Sequence, residues 1–295
     1  MNFAFLRAFG LFGAFAIGGF FPQLSAFAWL IRVGLIFMLF SVYLRIELSF
    51  SMLHRSQFFA TAFGILLACG AWTGLTAAGF SELGKVAFFT AITPTATAAP
   101  VIVSLIGGNI TYTVTTFLLS NFLISLCLPV LVPFVIGDPA VGLARDVLMR
   151  VLGVILAPLA VALVVRWRAK GVARKLGERL SVWAFYVWIS MVILIAAQTR
   201  DFIDRQACVP WGLLGAIAGL SLVVCVVNFV AGHFLGKPTY ALECSQALGQ
   251  KNNSYTIYLA LTYADPLIAL GPTLYIIWHN LWNAWQLYRF DTRRQ

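Results

Sequence analysis

Ten apolar stretches, at about 4–21, 26–44, 57–79, 84–106, 110–136, 145–166, 180–198, 211–235, 240–263 and 266–288, take up most of this 295-residue chain. A helix needs roughly 20 apolar residues to cross the hydrocarbon of a bilayer, and the stretches are near that length. Only 10% of the residues are charged and 61% are hydrophobic. That is too little charge to cover a water-facing surface, so most of the surface must face lipid. The expected fold class is an all-α membrane protein with ten transmembrane helices, folded as one membrane domain over residues 1–295. The opening "MNFAFLRAFGLFGAFAIGGFF" resembles a signal peptide with Arg7 as its charged end. Its long apolar run reads better as the first membrane helix.

Charge sets the expected orientation. With both termini on the cytoplasmic side, the inner loops and ends hold Arg7, Arg45, Arg55, Arg166, Arg168, Lys170, Arg174, Lys175, Arg179, Lys237, Arg289, Arg293 and Arg294. The outer side holds Lys85, Arg145, Arg150, Arg200 and Arg205. That is the positive-inside bias of a multi-pass protein of the plasma, or inner, membrane. The net charge of +10 belongs to that bias and not to nucleic-acid binding, which would need basic runs on a soluble fold. The basic stretch "RWRAKGVARKLGER" (166–179) reads as a cytoplasmic linker between two five-helix halves. The five cysteines, Cys69, Cys127, Cys208, Cys225 and Cys244, are scattered and form no C-x-x-C pair. They point to neither a metal site nor a disulfide framework. No cofactor is expected.

Five plus five is informative. An odd-numbered unit duplicated in tandem must insert with opposite topology, which gives the inverted repeat of many secondary transporters. Repeat one would cover about 1–140 and repeat two about 141–295. The fourth stretch of each half looks discontinuous. In "AITPTATAAPVIVSLIGGN", Pro94 and Pro100 lie mid-segment with Thr93, Thr95 and Thr97 beside them, and proline removes a backbone donor and crowds the preceding turn. In the ninth stretch, Gly249 is followed by the polar run Gln250 to Ser254. Broken backbone in a membrane is tolerated where it is buried in protein or lines a wet cavity. Paired interruptions are therefore pointers to a transport site, with helices 4 and 9 crossing there.

Lys251 is the sharpest residue. An ammonium at mid-membrane costs at least about 2.5 kcal/mol, so it needs partners. It could lock helices together by neutralising an acid such as Glu243, but eight residues put the two about 12 Å apart along a helix. It could instead supply a fixed charge at the crossing, bind an anion, or exchange a proton. Gln250, Asn252, Asn253 and Ser254 each donate and accept hydrogen bonds. Interhelical glue is the plain alternative, yet one helix face cannot collect five consecutive side chains. Glu243 is the one acid well inside a stretch, either reaching water at the inner mouth or carrying a proton. In "WHNLWNAW" (278–285), His279 and Asn280 sit among tryptophans, as an interface belt or facing a cavity. Asn121, Ser120 and Ser125 read as packing groups. No Ser-His pair, zinc motif or acid dyad sits at catalytic spacing, so an enzyme is not expected.

These stretches together resemble the bile acid:sodium symporter family over the whole chain. "VGLIFMLFSVYLRIE" is similar to its second helix. "TPTATAAPVIVSLIGGNITYTVTTFLLSNFLISLCLPVL" is similar to its fourth and fifth, "ALGQKNNSYTIYLAL" to its ninth-helix signature, and "WHNLW" to its His-Asn in helix ten. The resemblance implies two inverted five-helix repeats, a core and a panel that rock against each other, and sodium-driven uptake of organic anions at the crossing of helices 4 and 9. It implies that Asn252 and Asn280 face the substrate, with His279 beside them.

The departures from that family fall on its sodium ligands. Ala247 stands where the family has a glutamate, Lys251 where it has a glutamine, Thr97-Ala98-Ala99-Pro100 where it has Thr-Ala-Ser-Asn, and Phe117 where it has a threonine. A rival alignment puts Glu243 on the family glutamate at the expense of the Gly and Asn matches. The sodium site is expected to be lost, with the Lys251 ammonium standing in for the ion and proton coupling open through Lys251 or Glu243. The expected function is sodium-independent secondary transport of a small organic anion. Thr95, Thr97, Gln250, Asn252, Asn253, His279 and Asn280 would bind it, Lys251 and Glu243 would couple, and Pro94, Pro100 and Gly249 would break the helices. The alternatives are a sodium- or proton-coupled exchanger of related architecture and a ligand sensor that does not transport.

Overall fold

A computed structural model describes residues 3–45, 52–137, 141–205 and 210–292, and all of the regular structure among them is helical. Among the described residues, five helices are long and apolar enough to cross a membrane: Arg55–Ala77, Ile110–Ile136, Gly142–Arg168, Lys170–Arg205 and Trp211–Leu235. The fourth and ninth apolar stretches are each divided in two. The chain packs as two compact units, one from Met1–Glu47 and Arg145–Pro210 and the other from Leu48–Ala144 and Trp211–Gln295.

The first unit holds α1 (Phe3–Phe20), a 3-10 turn at Pro22–Phe27, α2 (Leu30–Tyr43), α7 (Val141–Val151) from Arg145 on, α8 (Ala157–Arg168) and α9 (Lys170–Arg205). A single π-helical stretch, Leu152–Leu156, joins α7 to α8. It lies just before Pro158, whose ring would clash with the carbonyl one turn back in a regular helix. The spine of the unit is α9. Gly18 on α1 lets the two backbones meet, because a Cβ there would run into the carbonyl of Ile193 and the Ala196 methyl. Small residues are how membrane helices approach closely.

The linker expected at 166–179 is a correction. Residues up to Arg168 belong to α8, and α9 already begins at Lys170, so the stretch is helical on both sides of Ala169. It also lies between the sixth and seventh apolar stretches, not between the halves. Lys and Arg are good helix formers, and α9 extends past the apolar 180–198 at both ends. Helix α6 instead ends at Gly137, in the left-handed region at φ +88°.

The second unit holds α3 (Arg55–Ala77), α4 (Ser81–Ala91), α5 (Ala99–Leu105), α6 (Ile110–Ile136), α10 (Trp211–Leu235), α11 (Ala241–Gly249), α12 (Asn253–Tyr263) and α13 (Pro266–Thr292). Its centre is made of the divided helices. Val86 to Ala91 of α4, Glu243 to Gly249 of α11 and Asn253 to Ala260 of α12 are buried without a break. A helix enclosed on every side is normally apolar all round, yet α11 and α12 carry the polar run. Gly271 of α13 admits α4, since a Cβ there would strike Thr90 and Val86.

Candidate functional site

The polar residues meet where the two interrupted helices cross, inside the second unit. Helix α4 stops at Ala91 and α5 starts at Ala99. Helix α11 stops at Gly249 and α12 starts at Asn253. Breaking a helix frees backbone N–H and C=O groups, which are costly to leave unpaired in a buried place. Here the two breaks pair with each other. The Ala96 N–H donates to the Gln250 carbonyl at 2.7 Å, and the Asn252 N–H donates to the Pro94 carbonyl at 2.8 Å. Thr95 and Lys251 thereby face each other in a one-residue antiparallel bridge.

Helices α6 and α13 brace this ladder. From α6, the Ser120 hydroxyl accepts from the Thr95 N–H at 3.2 Å, and the Asn121 amide donates to the Thr95 carbonyl at 3.1 Å. From α13, the Tyr275 hydroxyl donates to the Gly249 carbonyl at 2.8 Å. Thr95 donates through its hydroxyl to the Ala247 carbonyl at 2.7 Å, tying one break to the helix before the other. Thr95 is thus fully engaged in the frame.

Lys251 is 3% exposed. Its Nζ donates to the carbonyl of Ala91, the last residue of α4, at 3.1 Å. That carbonyl lies at the negative end of a half-helix dipole. Among the described residues no carboxylate pairs with it. Beside it lies a cavity of about 10 Å3, near the smallest that holds one water. Five hydroxyls line that cavity, on Thr61, Thr93, Thr95, Thr116 and Ser120. Each donates to a backbone carbonyl, at 2.7 to 3.2 Å. With their protons committed, these hydroxyls are left as acceptors, and the Ser120 oxygen already takes the Thr95 N–H.

A second polar line runs along α13. Tyr275, His279, Asn283 and Gln286 recur at helical spacing on one face. His279 is buried, its Nδ1 lies 3.4 Å from the Asn253 amide nitrogen, and its ring meets Tyr275 edge-on. The Oδ1 atoms of Asn253 and Asn283 are buried without a hydrogen-bond partner among the described residues. Gln250 donates to Gln246 at 3.3 Å, and Gln246 donates to Gln286.

The sequence candidates therefore separate. Thr95, Gln250, Lys251, Asn252 and Asn253 meet at the crossing, and His279 joins them through Asn253. Thr97 and Asn252 are half-buried at the starts of α5 and α12. Asn280 donates to its own helix, to the Ile276 carbonyl at 2.6 Å. Glu243 is not brought to the crossing. It sits in the first turn of α11, where its Oε1 accepts from the Asn109 N–H at 2.7 Å. It anchors the turn Gly107-Gly108-Asn109 that starts α6. Pro94 lies in the break, but Pro100 lies in the first turn of α5, where a missing N–H costs nothing. Gly249 has no positive φ. It is small because a Cβ would enter the ring of Phe229.

Sequence reasoning missed Thr61, Thr116, Tyr275 and the Gln246–Gln286 pair, and treated Ser120 and Asn121 as packing. The signal was the spacing of Thr113, Thr116 and Ser120, and of the α13 residues, which puts polar groups on one helical face. In comparisons with known proteins, no family model matches the chain and no curated protein matches it.

Proposed function

We propose that this protein is a sodium-independent secondary transporter of a small organic anion, working by alternating access, with Lys251 in the role of the coupling cation. The observation that carries the reading is the Lys251 ammonium on the Ala91 carbonyl, among five hydroxyl oxygens, where two broken helices cross. Carbonyls at half-helix C-termini and hard oxygens are what a transporter offers a small cation. An added sodium ion would have to share that space with a fixed positive charge. The N-terminus of α12 faces the same crossing, and the positive end of a helix favours an anion. Asn252, Asn253 and Thr97 are the polar side chains at hand there to orient a carboxylate, and His279 backs Asn253.

The ten-passage inverted repeat belongs to this proposal. Its support is that the first unit takes the first two apolar stretches of each half and the second unit takes the last three. The two breaks also fall in the fourth stretch of each half. The cytoplasmic location of both termini is supported by the excess of Lys and Arg on the proposed inner side.

The test is radiotracer counterflow in proteoliposomes with a panel of organic acids, in sodium, in choline, and under an imposed pH gradient. Uptake unaffected by replacing sodium with choline in the wild type, and altered by sodium in Lys251→Gln, is the expected result. Strict sodium dependence of the wild type would overturn the reading. Acceleration by a pH gradient that is lost in Lys251→Gln would assign proton exchange to the lysine.

A further inference from the structure

Four helix ends of the second unit converge around a second cavity, of about 350 Å3. Ile106 closes α5, His233 lies in the last turn of α10, Leu242 in the first turn of α11, and Arg289 in the last turn of α13. Helix ends that meet at one level mark the depth of lipid headgroups when the helices cross a bilayer. The Arg289 guanidinium lies 5.0 Å over the ring of Trp285, which is 47% exposed. Lys237, in the turn just after α10, lies with its Nζ 4.7 Å over the ring of Phe234, which is 62% exposed. Among the described residues no carboxylate pairs with either cation. The inner wall is apolar, from Ile106 and Leu242, and Gln286 closes it from the side of the crossing.

We propose that this cavity binds the phosphate headgroup of an anionic phospholipid. Arg289 takes the phosphate through its paired N–H donors, and Ile106, Leu242 and Trp285 lie along the upper acyl chain. Arginine is the side chain whose planar fork matches a phosphate in two hydrogen bonds. Basic pockets between membrane helices on the arginine-rich side are suited to anionic headgroups. Depth favours a lipid over the transported anion, since substrate sites of such transporters lie near the midplane. The Gln286–Gln246–Gln250 chain joins this cavity to the crossing, so a bound lipid would steady both.

The experiment is native mass spectrometry of the full chain in detergent, titrated with phosphatidylglycerol, phosphatidylcholine, or soluble glycerol 3-phosphate. The wild type, Arg289→Gln, Arg289→Lys and the surface control Arg174→Gln are compared. Phosphatidylglycerol should be retained over phosphatidylcholine. Arg289→Gln should weaken phosphatidylglycerol binding by roughly tenfold, the scale of one charged hydrogen-bonding group. Arg289→Lys should fall in between, and Arg174→Gln should bind as the wild type does. Equal retention by wild type and Arg289→Gln would overturn the proposal, as would an equal loss in Arg174→Gln. Glycerol 3-phosphate binding as tightly as the lipid would overturn the choice of a membrane ligand in favour of a soluble phosphate ester.

Discussion

Lys251 poses a residue-scale question that sodium can answer. Replacing it with Gln withdraws an ammonium from the Ala91 carbonyl and the surrounding hydroxyl oxygens, and leaves oxygens that suit a bare cation. We expect sodium to raise the melting temperature of Lys251→Gln in detergent while leaving the wild type unmoved. At about a hundred times its Kd, sodium would stabilise the variant by about 2.7 kcal/mol. Equal melting shifts in sodium and choline would remove the surrogate-cation idea. Gly249→Ala should destabilise the same crossing. Its methyl would enter the Phe229 ring, which is stacked on Trp282 at 4.8 Å. Overpacking of this kind costs about 1–3 kcal/mol, to be read as a lower unfolding midpoint.

Glu243 holds the start of α6 through the Asn109 N–H. Glu243→Ala would orphan that donor at about 1–3 kcal/mol. Glu243→Gln keeps an acceptor there and should lose much less, with transport intact. Loss of transport in Glu243→Gln at unchanged stability would return the carboxylate to a proton-carrying role. The elements themselves were largely legible in the chain. Apolar length marked the ten stretches, Pro94 marked one break, and the run after Gly249 marked the other. What was not legible is who satisfies whom. Lys251 and the two cross-break bonds rest on backbone carbonyls and N–H groups, which no side-chain pattern announces, and Ser120, Asn121 and Tyr275 show as braces only once the breaks lie beside them. The stretch 166–179 misled for a related reason. Its charge looked like a loop, but Lys and Arg are at home in a helix that leaves the apolar zone. Helix α9 has 36 residues, about 54 Å at 1.5 Å each, well beyond a roughly 30 Å hydrocarbon layer.

The length of α9 makes its orientation measurable. Arg174 lies near the start of α9 and Asp204 near its end, both on exposed ion pairs. Single cysteines at these positions, in a cysteine-free background, should react with an impermeant maleimide from opposite sides of sealed vesicles, with 174 on the inner side. Labelling of both from one side would rule out a membrane-crossing α9. The bridge between Thr95 and Lys251 has one more consequence. These two residues sit in the two breaks and face each other in an antiparallel bridge; under the proposed inverted repeat they would hold equivalent stations. A dimer of two identical five-helix chains would have to put the same residue at both stations, and two facing lysines would repel in a buried space. Under that proposal, a lone internal ammonium is open only to a chain whose halves are fused and free to diverge. On this reading, the loss of an outside ion as partner is an invention that symmetry forbids and covalent joining permits.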